Sequence, residues 1–449
     1  EKWDSRSLSF REPARRDGRQ WLRIGAWILL AGWLGASSAA ALERLEPGRG
    51  CYLGFNLGED DTPQTLATRL GLTPAVFVRF YAFPLSSEGW NNLNNFCAQV
   101  RDAGAIALVT LEPFGGLSEV TTNVCEDFAN FCAAFEAQGI AGIILRFAHE
   151  MNGTWYAWGQ QPLLYREKFR LLAQAVRART TRTALLWAPN HGAGYPFVFG
   201  GPYKAQPGTD DFAALDTNGD GALSEADDMY EPYYPGDDAV DWVGMTIYHW
   251  GANYPWLENE LPLPNSFARA LTGNAGQLPD FYARYCADGA RNKPLAVPET
   301  SGFYNTQQPG ANEFAIKQAW WQQVFNLSGD NPHAWDVANH FPKMKCVGWF
   351  DHYKIESEAQ SQWIDWRVSA CPQLRDAFLD YARAPRDGLP YFLTAPEAQR
   401  ELAPYAIVPI TLPHVLPLNG ALNVTLATKV PAGCDLVMDV LDETYQWFG

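Results

Sequence analysis

Residues 146 to 158 read Arg146-Phe-Ala-His-Glu-Met-Asn-Gly-Thr-Trp-Tyr-Ala-Trp158, directly after the apolar run Ile140 to Leu145. Branched apolar residues giving way to polar ones predict a strand over Ile140–Phe147, buried on both faces, with Glu150 at its carboxyl end. Seven more β-branched or aromatic segments share this character: Tyr52–Phe55, Val76–Phe80, Ile106–Leu111, Thr183–Ala188, Val240–Ile247, Leu295–Pro298 and Cys346–Phe350. Amphipathic stretches such as Glu126–Gln138, Leu164–Ala178, Ala311–Val324 and Gln373–Ala384 fall between them. Eight alternating units of this kind predict an α/β protein, a (β/α)8 TIM barrel, whose reactive groups stand at the carboxyl ends of the strands.

That rule selects a second carboxyl. Lys293-Pro-Leu-Ala-Val-Pro-Glu-Thr-Ser-Gly302 is a short apolar strand ending in Glu299, three strands after the one that carries Glu150. Ends of the fourth and seventh strands face each other across a barrel mouth. Two carboxyls so placed are what glycosidic hydrolysis requires, one to protonate the departing oxygen and one to attack or direct water at the anomeric carbon. Arg146, on the same strand as Glu150, and Arg79, ending the second strand, are candidates to hold a neighbouring carboxylate ionised. His149 is a candidate for a hydrogen bond to substrate or nucleophile. Tyr248 ends the sixth strand and can orient Glu299, and Trp349 ends the eighth and offers a flat face for a sugar.

With these residues in place the chain resembles glycoside hydrolase family 26, the β-mannanase family of the 4/7 barrel clan, over about residues 50 to 385. The resemblance is carried by the 146–158 motif, by Tyr233-Tyr-Pro-Gly-Asp-Asp-Ala-Val-Asp-Trp-Val-Gly244 and by Pro294-Leu-Ala-Val-Pro-Glu299. It implies a retaining double displacement with Glu150 as acid/base and Glu299 as nucleophile, and it places His149, Trp155, Tyr248 and Trp349 at substrate-contacting or supporting positions. Met245-Thr-Ile-Tyr248 and Pro298-Glu-Thr-Ser-Gly302 depart from the usual mannanase strands. The family also holds β-1,3-xylanases and mixed-linkage β-glucanases. The resemblance therefore implies an exported endo-β-glycanase for a plant or algal-type polysaccharide, β-1,4-mannan first and β-1,3-xylan or β-glucan as alternatives. A barrel that binds glycan without cutting it is the reading from a different class.

Between the fifth and sixth strands lies an insertion, about 203–231, rich in Gly, Asp and Pro. Its segment Asp216-Thr-Asn-Gly-Asp-Gly-Ala-Leu-Ser-Glu-Ala-Asp227 has the spacing of a twelve-residue calcium loop. Asp216, Asn218, Asp220, the Ala222 carbonyl, Ser224 and Asp227 are the expected ligands of a structural Ca2+, with no cofactor expected in catalysis.

The remaining features bound the setting. A formal net charge of −16 disfavours phosphate backbones, so no nucleic acid is expected as partner. Residues 1–41 carry Arg15, Arg16, Arg19 and Arg23 ahead of an uncharged run and small residues, the pattern of a signal peptide or membrane-targeting segment. Its cleavage would leave no stable membrane span and a secreted, periplasmic or extracellular protein, expected as a monomer. Eight Cys residues permit disulfides in such a compartment. The expected division is a catalytic barrel over 42–390 and a β-rich accessory segment over 391–449, possessing fewer than 60 residues and so a doubtful core of its own.

Overall fold

The computed structural model describes residues 42–402 apart from 199 and 252–255, together with the two strands Arg6–Ser9 and Asn423–Leu426. Those two strands pair antiparallel, Arg6 opposite Leu426 and Ser9 opposite Asn423. The rest of the expected targeting segment 1–41, and all other residues from 403 onward in the expected accessory segment, lie outside the described residues. Among the described residues no helix is long and apolar enough to cross a membrane.

Leu42–Leu402 form one compact unit, which thus continues past residue 390. Its eight parallel strands are β1 Cys51–Asn56, β2 Val76–Ala82, β3 Ile106–Glu112, β4 Gly142–Phe147, β5 Thr183–Trp187, β6 Trp242–Gly244, β7 Leu295–Thr300 and β8 Met344–Phe350. Each pairs with the next, and β1 also pairs with β8 through Tyr52 opposite Cys346 and Asn56 opposite Phe350, which closes the barrel. All eight expected strands are present. The sixth is the most altered, because Val240–Ile247 is regular only over Trp242–Gly244, and beyond it single bridges such as Asn190 to Thr246 continue the pairing.

Between the strands run α1 Pro63–Leu70, α2 Ser87–Asp102, α3 Thr122–Ala137 and α4 Pro162–Arg177. The insertion contributes α5 Asp210–Leu215, and α6 Ser266–Leu271, α7 Phe281–Tyr285, α8 Glu313–Val324, α9 Val337–His340, α10 Pro372–Ala382 and α11 Ala395–Leu402 follow. Their starts are written in the sequence. Thr62, Ser86, Thr121, Thr209, Asp280 and Asn312 each accept a backbone N–H of the first turn, and α1, α4 and α10 open on Pro, whose missing N–H costs nothing there.

Alternation along the strands sorts the apolar side chains into two cores. Val76, Val78, Ile106, Leu108, Ile144, Ala184, Leu186, Trp242, Ala296 and Cys346 fill the barrel, with Leu45 and Ala398 below. Their neighbours Phe77, Leu145, Phe147, Leu185, Trp187, Val243, Val297, Val347 and Trp349 face outward and pack against the helices. Seven Cys residues are free thiols, six of them buried and Cys371 exposed, so none of the expected disulfides forms among the described residues; Cys434 lies outside them.

Candidate active site

The inward rows of side chains turn polar as they approach the carboxyl ends of the strands. Above Ile144 on β4 stands Arg146, above Leu108 on β3 stand Thr110 and Glu112, and beyond β6 come Thr246 and Tyr248. Arg146 is fully buried. One guanidinium nitrogen donates to Oε1 of Glu299 in a very short contact, and the other donates to Oγ1 of Thr246 at 2.7 Å. The second oxygen of Glu299 accepts the Tyr248 hydroxyl at 2.9 Å. Both oxygens of this carboxylate are thereby fixed, one by a cation and one by a phenol whose own ionisation burial pushes far out of reach. A group held in this way keeps its lone pairs directed at one point, as a nucleophile requires.

Glu299 faces inward because β7 is irregular. Val297 lies opposite Val347 and Thr300 opposite Trp349, so Pro298 and Glu299 together oppose the single residue Gly348. Strict alternation from outward-facing Val297 would turn Glu299 toward the helices. The bulge reverses this and leaves Thr300 outward, where Trp320 of α8 donates to its hydroxyl at 2.9 Å. Asn56 fastens the bulge from β1 through its amide, 2.9 Å from the Pro298 carbonyl and 3.4 Å from that of Gly348.

Glu150 reaches the mouth by another irregularity. Ala148 and Glu150 have φ of 45° and 53°, left-handed values that non-glycine residues rarely adopt. The turn they make returns the Glu150 N–H to the Ala188 carbonyl at 2.9 Å. Its carboxyl accepts Trp155 Nε1 at 2.9 Å and Asn190 Nδ2 at 3.0 Å, and Asn190 is itself locked to Asn152 by two amide–backbone bonds. Burial pushes the Glu150 carboxyl above its usual range and the Glu299 charge adds to this, while Arg146 opposes it. Of the two carboxyls, Glu150 therefore has the environment of a proton donor.

His149 is buried against Phe80, Tyr156 and Trp158, with ring centroids 5.9, 5.0 and 5.8 Å away. Burial, followed by the Arg146 charge, holds its imidazole well below the usual range, which favours the neutral ring.

Six of the expected site residues meet here: Glu150, Glu299, His149, Trp155, Arg146 and Tyr248. Two do not. Arg79 projects from the outer face of β2, 5.9 Å over the Phe96 ring of α2, and donates to the Asp61 carbonyl at 2.6 Å instead of to Glu150 or Glu299. Trp349 is wholly buried on the outer face of β8, 5.0 Å from Phe378 and 6.3 Å from Phe325, so it offers no face to a sugar. The indoles beside Tyr248 are Trp366, at 5.0 Å, and Trp250, at 6.0 Å.

Sequence reasoning missed Asn190, Thr246 and above all Glu112. Glu112 is the last residue of β3, faces the mouth, and is pushed up to about 7 by burial first and then by Glu299 and Glu150, against Arg146 and Lys354. The rule that selects Glu150 and Glu299 applies to it as well, but the strand expected over Ile106–Leu111 stops one residue short of it.

In the insertion, Asp216 accepts the Asp220 and Gly221 N–H groups, Asp220 accepts that of Ala222, and Asp227 accepts those of Thr217, Asn218 and Ser224. The donor types along 216–227 suit a calcium ion. Among the described residues, however, no three His, Cys, Asp or Glu side chains are gathered into a metal cluster.

The family model of Glycosyl hydrolase family 26 matches residues 113–210, a span that contains Glu150, Trp155 and Asn190. The resemblance to glycoside hydrolase family 26 holds. A curated relative is Endoglucanase H of Acetivibrio thermocellus, 22% identical over 291 residues, 62% of this chain and 24% of that protein. The chain thus spans about a quarter of the length of the curated relative it matches. Solved structures similar to this barrel include a double mutant of a Cellulomonas fimi endo-β-1,4-mannanase, 19% identical over 79% of this chain and 74% of that one, with a TM-score of 0.47. Another is the catalytic domain of a family 26 endo-β-1,4-mannanase of Bacillus sp. JAMB-750, 17% identical over 80% and 91%, also with a TM-score of 0.47.

Proposed function

We propose that this chain is an exported endo-β-glycanase that cleaves with retention, acting on β-1,4-mannan. The observation that carries the reading is the unequal treatment of two carboxyls at one barrel mouth. Glu299 is fixed by Arg146 and Tyr248, and Glu150 is buried, pushed toward its protonated form and held by Trp155 and Asn190. In the first step a Glu299 oxygen bonds to the anomeric carbon as the glycosidic C–O bond breaks, and the Glu150 proton passes to the leaving oxygen. In the second, Glu150 takes a proton from water, the resulting hydroxide attacks the same carbon, and the glycosyl ester breaks to return Glu299 as a carboxylate. β-Glucan is the second reading, favoured by the relative named as an endoglucanase.

The test is hydrolysis of purified mannan, β-1,3-xylan and mixed-linkage β-glucan, with product anomers followed by proton NMR. Retention on mannan and a loss of about 1,000-fold or more in kcat for Glu150→Gln and for Glu299→Gln is the expected outcome. Inverted product or full activity in either variant refutes the mechanism, and preference for glucan moves the substrate to the second reading.

The loop 216–227 is proposed to bind a structural Ca2+. Its support is the row of oxygen donors at the required spacing, three of them carboxylates that an ion would neutralise.

A further inference from the structure

Glu112 is held at a position that folding alone does not favour. It closes β3 in the inward row above Leu108 and Thr110, and Thr110 lies opposite Arg146 of β4 in the register of the sheet. Its side chain is partly buried, and it makes no hydrogen bond and no ion pair with any described residue. Withdrawing a carboxyl from water, even in part, without giving it a partner carries a cost in free energy. Here the cost is compounded by charge, because Glu150 and Glu299 face the same space, and Arg146 is already committed to Glu299. Lys354, on the strand that follows β8, is the other cation facing it, and Tyr156 is the other titratable neighbour. Glu150 and Glu299 are each hydrogen-bonded and have their use in the proposed reaction, whereas Glu112 has no such partner and no place in the two-carboxyl mechanism.

We infer that Glu112 is a specificity-determining residue, hydrogen-bonding a hydroxyl of the sugar ring held between Glu150 and Glu299. The inference rests on the glycanase reading. A carboxyl can accept from a hydroxyl when ionised, and can also donate to it when protonated, so it discriminates between epimers by the direction in which one hydroxyl points. A site built around such a group rejects a sugar lacking the hydroxyl, because the buried carboxyl is then left unpaired.

The inference separates from a purely structural role by stability. In the fold Glu112 holds its proton to about pH 7, against an ordinary value of 4.5, so the folded state binds more protons than the unfolded one between those values. Stability is therefore lost as pH rises from about 4.5 through about 7 and is not recovered above. Glu112→Gln removes that loss. Its melting temperature should equal or exceed that of the unaltered protein at pH 8 and approach it at pH 4.

On the polysaccharide that the unaltered enzyme cleaves best, Glu112→Ala should lower kcat/KM by about 10- to 100-fold and Glu112→Gln by less, since the amide both donates and accepts. Activity within about twofold of the parent in both variants overturns the inference, as does a fall in melting temperature that parallels the loss of activity. If the parent cleaves none of the polysaccharides, the glycanase reading fails by itself. Glu112 is then judged by calorimetric titration of manno- and gluco-oligosaccharides into parent and Glu112→Ala. Weaker binding by the variant sustains it, and equal affinity, or no binding by the parent, overturns it.

Discussion

Arg146 is the cation on which the proposed nucleophile depends. Its side chain is wholly enclosed and its charge is paired with Glu299. Removing one partner of a buried ion pair typically costs about 3–5 kcal/mol, because the other charge is left uncompensated. Arg146→Met should therefore lower unfolding free energy by about that amount in urea titration and abolish turnover. Arg146→Lys should fold better but remain poorly active, since an ammonium is a single point charge and cannot fork between Glu299 and Thr246. At this scale the sequence is legible where a carboxyl directly follows an apolar strand, which is how Glu150 and Glu299 stand out. It misleads where one residue of alternation decides direction. Trp349 sits near its strand end as expected, whereas Arg79 lies mid-strand because β2 runs on to Ala82; in both cases the neighbour, Phe350 or Phe80, is the one on the inward row, and sequence alone does not say which of two adjacent residues faces in.

The elements that aim the site are the two places where regular strand is interrupted. Asn56 of β1 bridges the carbonyls flanking the β7 bulge without standing in the site, so its effect on catalysis passes through Glu299. Asn56→Ala is expected to cost about 1–3 kcal/mol from unsatisfied buried carbonyls. It should also lower kcat while leaving KM nearly unchanged, read by steady-state kinetics. Trp349 gives the opposite pattern. Enclosed by Phe325 and Phe378 of the helical layer, it should cost about 3–5 kcal/mol when replaced by Ala, with KM of the folded enzyme unaltered. A rise in KM for Trp349→Ala would restore it to the cleft. Bulges and left-handed turns leave weak marks in sequence. Pro298, two residues after the last regular inward position, is the one local hint for β7, and nothing in Ala148 or Glu150 announces a positive φ.

For the whole molecule, closure of the barrel was readable from eight apolar runs in alternation with amphipathic ones, because strands buried on both faces and helices buried on one differ in periodicity. The disulfides permitted by an even Cys count did not follow, since six thiols are absorbed into the cores as small apolar groups. The proposed calcium bears on the molecule as a folded unit rather than on the bond being cleaved. Thorough chelation should lower the melting temperature by several degrees, with turnover at 25 °C within about twofold, through the loss of ligand linkage to the native state. An unchanged melting temperature would show the loop to be held by its own N–H bonds.

The floor of the barrel brings together the first and last parts of the compact unit. Leu45 and Ala398 share the inner core, and Glu401 accepts the Arg49 N–H at 3.1 Å. The unit's two chain ends are thus neighbours on the side away from the mouth that carries Glu150 and Glu299. Its order of synthesis is then separable from its shape: a circular permutant with residues 402 and 42 joined by a short linker and new termini opened in the exposed stretch 206–209 should assemble the same barrel.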